Sequence, residues 1–223
     1  MNELLVDDEG SFKQDRPITM LIDLEDGFGV RRFDPSPSLK QGESRGDEVE
    51  NLIRVIATRW GFPELIYWPS LVRTGSGTRE VGDAVLLGDR LAVSVQAKGR
   101  NAVTHGDQRL RNWVMKNARK ALRQSNGTIR MLRLSPKTLT NARGSQLLID
   151  GNSYSWATLV IVDVPDVPSD FIPDLQSDTK YLVVTRPDFE FLFDQLKSIA
   201  AVVAYVHRVA DLEGVALGME LKR

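Results

Sequence analysis

The sequence predicts an α/β fold in which helices flank a mixed β-sheet, with extensions at both ends. Two observations carry this expectation. Apolar residues recur at helical spacing in three separate stretches, and short β-rich runs lie between them. The resulting order of helix, strands, helix, strands, helix is that of an α/β domain. A chain of 223 residues, 42% of them hydrophobic, is long enough to bury a core without staples.

The first 45 residues read as an arm and linker. Within them Ile18 to Ile22 is a candidate strand, and the run DPSPSLKQGESRG is a loop. A helix is expected over 47–60, where Val49, Leu52, Ile53, Ile56 and Trp60 form one apolar stripe, and GFP ends it. LIYWPSLV is a β-rich run, and RTGSGTRE is a turn-rich loop. GSGT is not followed by Lys and a helix, which excludes a P-loop. VGDAVLLG and RLAVSVQAKG flank Gly88-Asp89 and predict a β-hairpin. A second helix is expected over 107–125, with Leu110, Trp113, Val114 and Ala121 on one face, Asp107 at its start and Gly127 closing it. IRMLRLS then reads as a strand, followed by a polar loop to about Gly144. SYSWATLVIVDV and KYLVVT are further strands. One helix over 187–210 follows, with Pro187 in its first turn and Thr185 or Asp188 as its cap. The domain proper therefore spans 46–210, and 211–223 is a tail.

The net charge of −1 conceals strong segregation. Residues 1–50 carry 6 basic and 13 acidic side chains, and residues 150–223 carry 6 and 12. Residues 90–149 carry 13 basic side chains and a single acid, Asp107, a local net of +12. Such a block predicts a face for a polyanion, unless acids of the flanking segments fold back over it. Arg109, Lys116, Lys120 and Arg123 fall on one side of the second helix, and Trp113 and Gln124 lie between that stripe and the apolar face. The absence of cysteine excludes disulfides, thiolate metal sites and a Cys nucleophile. The acidic N-terminus lacks a signal-peptide core, and no apolar run reaches the roughly 20 residues of a membrane span. A soluble, cytoplasmic protein is expected. His207, in a helix, has no partner at metal-ligand spacing; His105 follows the hairpin and could touch substrate, though one loop His is more often incidental; Trp68 and Trp156 read as core residues.

The polar residues inside the hairpin carry the chemistry. An ionised Asp83 in an apolar strand is costly unless paired or bound to a cation. Gln96 and Lys98, two apart on the next strand, share a face. Asp83 and Lys98 could form a simple cross-strand ion pair. They could equally supply a carboxylate and an ammonium to phosphodiester hydrolysis, which needs oxygen ligands for a divalent cation and a positive group for developing charge. On the first helix, Glu48 and Glu50 flank the apolar stripe at similar angles, and periodicity does not choose between them.

A helix bearing a Glu, then GDAVLL, then VQAKGR resembles the core of the PD-(D/E)XK nuclease superfamily over residues 46–133, most closely its Mrr-type restriction endonucleases with Gln before the Lys. Gly82 stands where many members have Pro, and the long flanks have no counterpart. The resemblance implies a restriction-endonuclease-like core and a metal-dependent endodeoxyribonuclease serving restriction, phage defence or repair. It implies Asp83 as principal ligand to Mg²⁺ or Mn²⁺, with Gln96 and the Ala97 carbonyl beside it. It selects Glu50, by its match to GDEVENLI, as a ligand to a second metal or a metal-bound water. It gives Lys98 the attacking water or the pentavalent phosphorus. Arg100, Arg109, Lys116, Lys120, Arg123 and Gln124 become candidate contacts to nucleic acid. An RNA nuclease of the same fold and a non-catalytic nucleic-acid-binding module are the alternatives. A homodimer, or a partner domain or subunit of a larger system, is the form of assembly left open.

Overall fold

Two long interior strands of the sheet set the architecture. β7 (Leu91–Gly99) and β10 (Ser155–Asp163) pair in parallel over nine residues, from Ser155 opposite Leu91 to Asp163 opposite Gly99. Both are buried along almost their whole length, as parallel strands with both faces covered must be. The computed structural model describes residues 18–24, 27–33, 65–68, 72–74, 77–79, 83–99, 107–141, 144–164, 171–210, 212 and 215–217. The expected helix over 47–60 lies outside the described residues.

The chain divides into two compact units, Met1–Gln41 and Gly42–Arg223. In the first, β1 (Ile18–Leu24) pairs antiparallel with β2 (Gly27–Phe33), where a single strand was expected. Gly27 opens β2 at φ 140°, a conformation glycine takes without strain.

The second unit holds a seven-stranded mixed sheet in the order β11-β10-β7-β6-β3-β8-β9. Its remaining strands are β3 (Ile66–Trp68), β6 (Ala84–Leu87), β8 (Lys137–Asn141), β9 (Gln146–Ile149) and β11 (Lys180–Thr185). β11, β10 and β7 run parallel, and the rest pair antiparallel. β4 (Val72–Thr74) and β5 (Gly77–Arg79) form a separate two-stranded ladder in the stretch expected to be a turn-rich loop.

Helices cover both faces. α1 (Asp107–Leu134) packs Leu110, Val114, Ala118, Ala121 and Leu122 on Val160, Val162 and Val183 of one face. α2 (Arg186–Leu196) and α3 (Ile199–Val209) pack Phe189, Phe193, Val202 and Val206 on Val93, Val95, Leu159 and Ile161 of the other. Burying each large aliphatic or aromatic side chain is worth about 1.5–3 kcal/mol, so these clusters supply the main force holding the layers together.

Three expectations need correction, each for a physical reason. α1 does not stop near Gly127. It runs 28 residues, to Leu134, so 129–134 is helix rather than strand. The buried stripe continues through Ser125 and Thr128 to Ile129 and Leu132, and hydroxyl residues at two core positions hid it. Burying Ile129 and Leu132 outweighs the roughly 1 kcal/mol that an interior glycine costs. Secondly, the supposed polar loop forms the β8–β9 hairpin. Only Leu139, Asn141 and Ile149 of its strand residues are buried, so little apolar pattern announces it. Its turn is held by Asn141, whose Oδ1 accepts from Ser145 N at 2.8 Å. Thirdly, the last helix is two. Lys197 adopts a left-handed φ of 49° and donates its N–H to Phe193 O, and Ser198 caps α3 by accepting from Ala201 N.

The start of α2 follows the expectation. Thr185 and Asp188 form a reciprocal capping box, with Asp188 N donating to Thr185 Oγ1 at 3.1 Å and Thr185 N donating to Asp188 Oδ2 at 3.0 Å. Trp156 is core, as expected, and its Nε1 donates to Gly151 O at 2.8 Å.

Gly151 tests how tightly α1 is seated. A Cβ there would lie 2.6 Å from Leu132 C and 2.7 Å from Arg133 N, both backbone atoms that cannot rotate away. Gly151→Ala is expected to destabilise the fold by about 1–3 kcal/mol or more through overpacking, read as a lowered urea midpoint with an unchanged slope.

Candidate active site and basic helix

The site begins with the β6–β7 hairpin. Gly88 N donates to Leu91 O at 2.9 Å and closes the turn, and the ladder then pairs Leu87 with Ala92 through Ala84 with Val95. One residue further, Asp83 N donates to Val95 O at 3.3 Å, which brings Asp83 opposite Gln96. Side chains alternate along β7. Val93, Val95 and Ala97 enter the core beneath α2 and α3, so Ser94, Gln96 and Lys98 occupy the face covered by α1. The amide and carbonyl of Ala97 point in the plane of the sheet towards β6, past its first residue. The Asp83 carboxylate takes that amide: Ala97 N donates to Asp83 Oδ2 at 2.5 Å. A carboxylate, a backbone carbonyl, the Gln96 amide and the Lys98 side chain thus gather where β6 ends and β7 continues.

Burial grades across this group. Asp83 and Lys98 are half-buried, whereas Gln96 is only 1% exposed. Among the described residues the Gln96 Nε2 has no hydrogen-bond partner, and neither does Ser94 Oγ two residues earlier. On β10, Thr158 lies beside Ser94, and Thr158 Oγ1 is 2.7 Å from Ser125 Oγ of α1. Sequence reasoning passed over these three buried hydroxyls. The signal available for Ser94 was its two-residue spacing from Gln96.

The cations of α1 lie on the outside of the molecule. Arg109, Lys116, Lys120, Arg123 and Gln124 are exposed, as are Arg119, Arg130 and Arg133, and no acid follows Asp107 in the helix. Among the described residues none of these seven cations forms a salt bridge, so acids of the flanking segments described here do not neutralise the stripe. The two flanks of α1 differ. Arg111 stacks on Phe171 at 5.1 Å, and Asn126 Nδ2 reaches Ser177 Oγ at 3.5 Å, which places that flank against the β10–β11 crossover. The other flank carries Trp113 and Gln124 along with Met131, which packs with the Val85 and Leu87 cluster and so faces β6. The stripe centred on Lys116 and Arg123 points away from the sheet, opposite the buried face.

Glu48, Glu50, Arg100 and His105 lie outside the described residues. His207 is buried, with Nε2 3.1 Å from Ala92 O. Asp163 at the end of β10 lies beside Gly99, and Arg186 Nε donates to it at 3.1 Å. Asp163 lies on the face opposite Lys98, since its neighbour Val162 packs under α1.

The donors around Asp83 fit a hard divalent cation in kind, because carboxylate, backbone carbonyl and amide oxygens are the ligands such ions prefer. Among the described residues no three His, Asp or Glu side chains cluster. A cation here would therefore draw on Asp83, the Ala97 carbonyl and the Gln96 amide.

Asp83 also has a structural task that a substitution can separate from chemistry. Asp83→Ala leaves the Ala97 amide without its partner and is expected to cost about 1–3 kcal/mol. Asp83→Asn keeps an accepting oxygen and should recover most of that loss in the same thermal or urea unfolding measurement.

Comparison of the chain with family models, with curated proteins and with solved structures finds no match, so its function rests on the site's own geometry.

Proposed function

We propose that this protein is a divalent-metal-dependent nuclease with a restriction-endonuclease-like core, acting on DNA. The observation that carries the reading is the meeting of Asp83, the Ala97 edge, Gln96 and Lys98 at one point of the sheet, on the face covered by a helix rich in unpaired exposed cations. Mg²⁺ or Mn²⁺ bound there would polarise the phosphoryl group and lower the pKa of a water. Asp83 would hold such an ion, with the Ala97 carbonyl and the Gln96 amide oxygen beside it as further oxygen ligands. Lys98 offers its ammonium to the non-bridging oxygens as charge develops. Glu50 is the further acid implied by the family resemblance.

Exposed cations on α1 suit the polyanion rather than the chemistry. Arg109 lies near the helix start, and Lys116, Lys120 and Arg123 follow along a helix about 42 Å long. Contacts of this kind hold phosphates and fix register without reading sequence. Gln124 and Trp113 lie on the same flank of α1 as Met131.

A second reading has an observation of its own. The stripe faces away from the sheet, and binding through it needs no hydrolysis. A nucleic-acid-binding module without catalysis would use the same helix. Choice between DNA and RNA belongs to the same experiment, since the 2′-hydroxyl is what distinguishes the two polymers.

Plasmid, single-stranded DNA and single-stranded RNA are incubated with the protein and Mg²⁺ or Mn²⁺, with a chelator control. Cleavage of DNA is expected, abolished by chelator and reduced at least about 100-fold in Asp83→Asn and in Lys98→Ala, the size typical of losing one transition-state contact. Undiminished cutting in both variants would dismiss the site. Binding without cutting by the wild type would establish the second reading.

Duplex binding is expected to weaken steeply with salt, by about 0.9 log units per log unit of salt for each phosphate neutralised. Reversing Lys116, Lys120 and Arg123 to Glu together should flatten that slope by roughly 2–3, measured by fluorescence anisotropy. An unchanged slope would remove α1 from the contact surface.

A further inference from the structure

A glutamine is an ambiguous ligand. Its amide presents an oxygen that can bind a cation and an NH₂ that cannot, and a rotation of 180° exchanges them. Any role for Gln96 at a metal therefore requires something that fixes which end faces the ion. Asp83 and Lys98 lie on one side of Gln96, towards the end of β7. On the other side, one pleat back on the same face, stands Ser94.

Both side chains are almost wholly enclosed, Ser94 at 0% and Gln96 at 1% exposure. Among the described residues each holds a polar atom without a partner, Ser94 Oγ and Gln96 Nε2. Two such orphans on adjacent same-face positions are complementary: the amide is a donor, and the hydroxyl can accept while donating elsewhere. The next hydroxyl in line is Thr158, which lies beside Ser94 in the sheet and is already joined to Ser125 of α1 at 2.7 Å. Ser125 and Thr158 are likewise at 0% exposure. A buried polar row thus runs from the helix through Thr158 and Ser94 to Gln96, in a layer otherwise lined by the small Ala118 and Ala121 and by Val160. Polar groups enclosed in such surroundings are costly unless paired.

We propose that Ser94 is a positioning residue, accepting the Nε2–H of Gln96 through one enclosed water, since the two atoms do not bond directly in the structure, and so holding the amide oxygen towards Asp83. Thr158, beside Ser94 in the sheet, is itself held to Ser125 of α1. The inference rests on the metal-binding reading for its purpose, but the contact itself does not.

The two are tested separately. In the full-length, metal-free protein, the side-chain NH₂ of Gln96 is observed by nitrogen-15 NMR and assigned by its loss in Gln96→Met. Slow solvent exchange and a shifted proton resonance are expected in the wild type. Both should be lost in Ser94→Ala and retained in Ser94→Thr, which keeps the hydroxyl. A Gln96 amide that exchanges freely in the wild type, or is unchanged in Ser94→Ala, overturns the proposal. Mg²⁺ alone is then titrated calorimetrically. Removing the support of a metal ligand typically lowers affinity 10–100-fold, so Ser94→Ala should bind Mg²⁺ at least about 10-fold more weakly, with Ser94→Thr near the wild type. Equal Mg²⁺ affinity in Ser94→Ala and the wild type would overturn the positioning role. A wild type that binds no Mg²⁺ would instead remove the metal-binding reading, while the NMR result still decides the contact.

Discussion

The register of the β6–β7 hairpin is the constraint on which the rest depends. Because side chains alternate across a strand, a slip of one residue would send Gln96 and Lys98 into the apolar layer beneath α2 and α3 and expel Val95 and Ala97 from it. Burial of Val93, Val95 and Ala97 against Phe189, Phe193 and Val202 opposes such a slip. The same register stops β6 one residue short of Gln96, leaving Ala97 to be met by a carboxylate instead of a strand. A polar cluster inside an apolar strand pair is thus maintained by the apolar packing around it, at no cost in ladder hydrogen bonds for the Ala97 amide.

α1 ties this cluster to the molecule's charge. One face of the helix must be apolar and small to lie on β7 and β10, and Leu110, Val114, Ala118 and Ala121 meet that need. The opposite face is then free to carry cations without burying them. Burial and charge are therefore segregated by the geometry of a single helix. The flank with Arg111 and Asn126 is taken up by the β10–β11 crossover, which leaves the β6 flank as the side on which the helix and the candidate site meet.

Much of this was legible before the coordinates. Asp83, Gln96 and Lys98 stood out because polar residues in a strand buried on both faces are expensive, and the Gly88-Asp89 turn announced the hairpin that joins them. The capping of α2 was readable from Thr185, Pro187 and Asp188, since capping is local chemistry. The end of α1 was not readable. Ser125 and Thr128 occupy core positions while looking like surface residues, and Gly127 imitates a stop. The β8–β9 hairpin was hidden for a related reason: strands near a sheet edge bury few side chains, so KTLTN and QLLI carry almost no alternation. The break at Lys197 turned on one left-handed residue in an otherwise helical pattern.

By itself the sequence determined the local facts: where apolar stripes exist, which strands are buried on both faces, that the +12 block and the acidic flanks are separate, and that a carboxylate, an amide and an ammonium share one hairpin. These follow from period, composition and turn chemistry, which act between near neighbours. Only tertiary structure decided that β7 pairs with β10, that α1 lies over that pair, and that Ser125 meets Thr158 beside Ser94 in one enclosed layer. Such contacts join residues far apart along the chain, where no periodicity reaches. They are chosen by which apolar faces can be buried together.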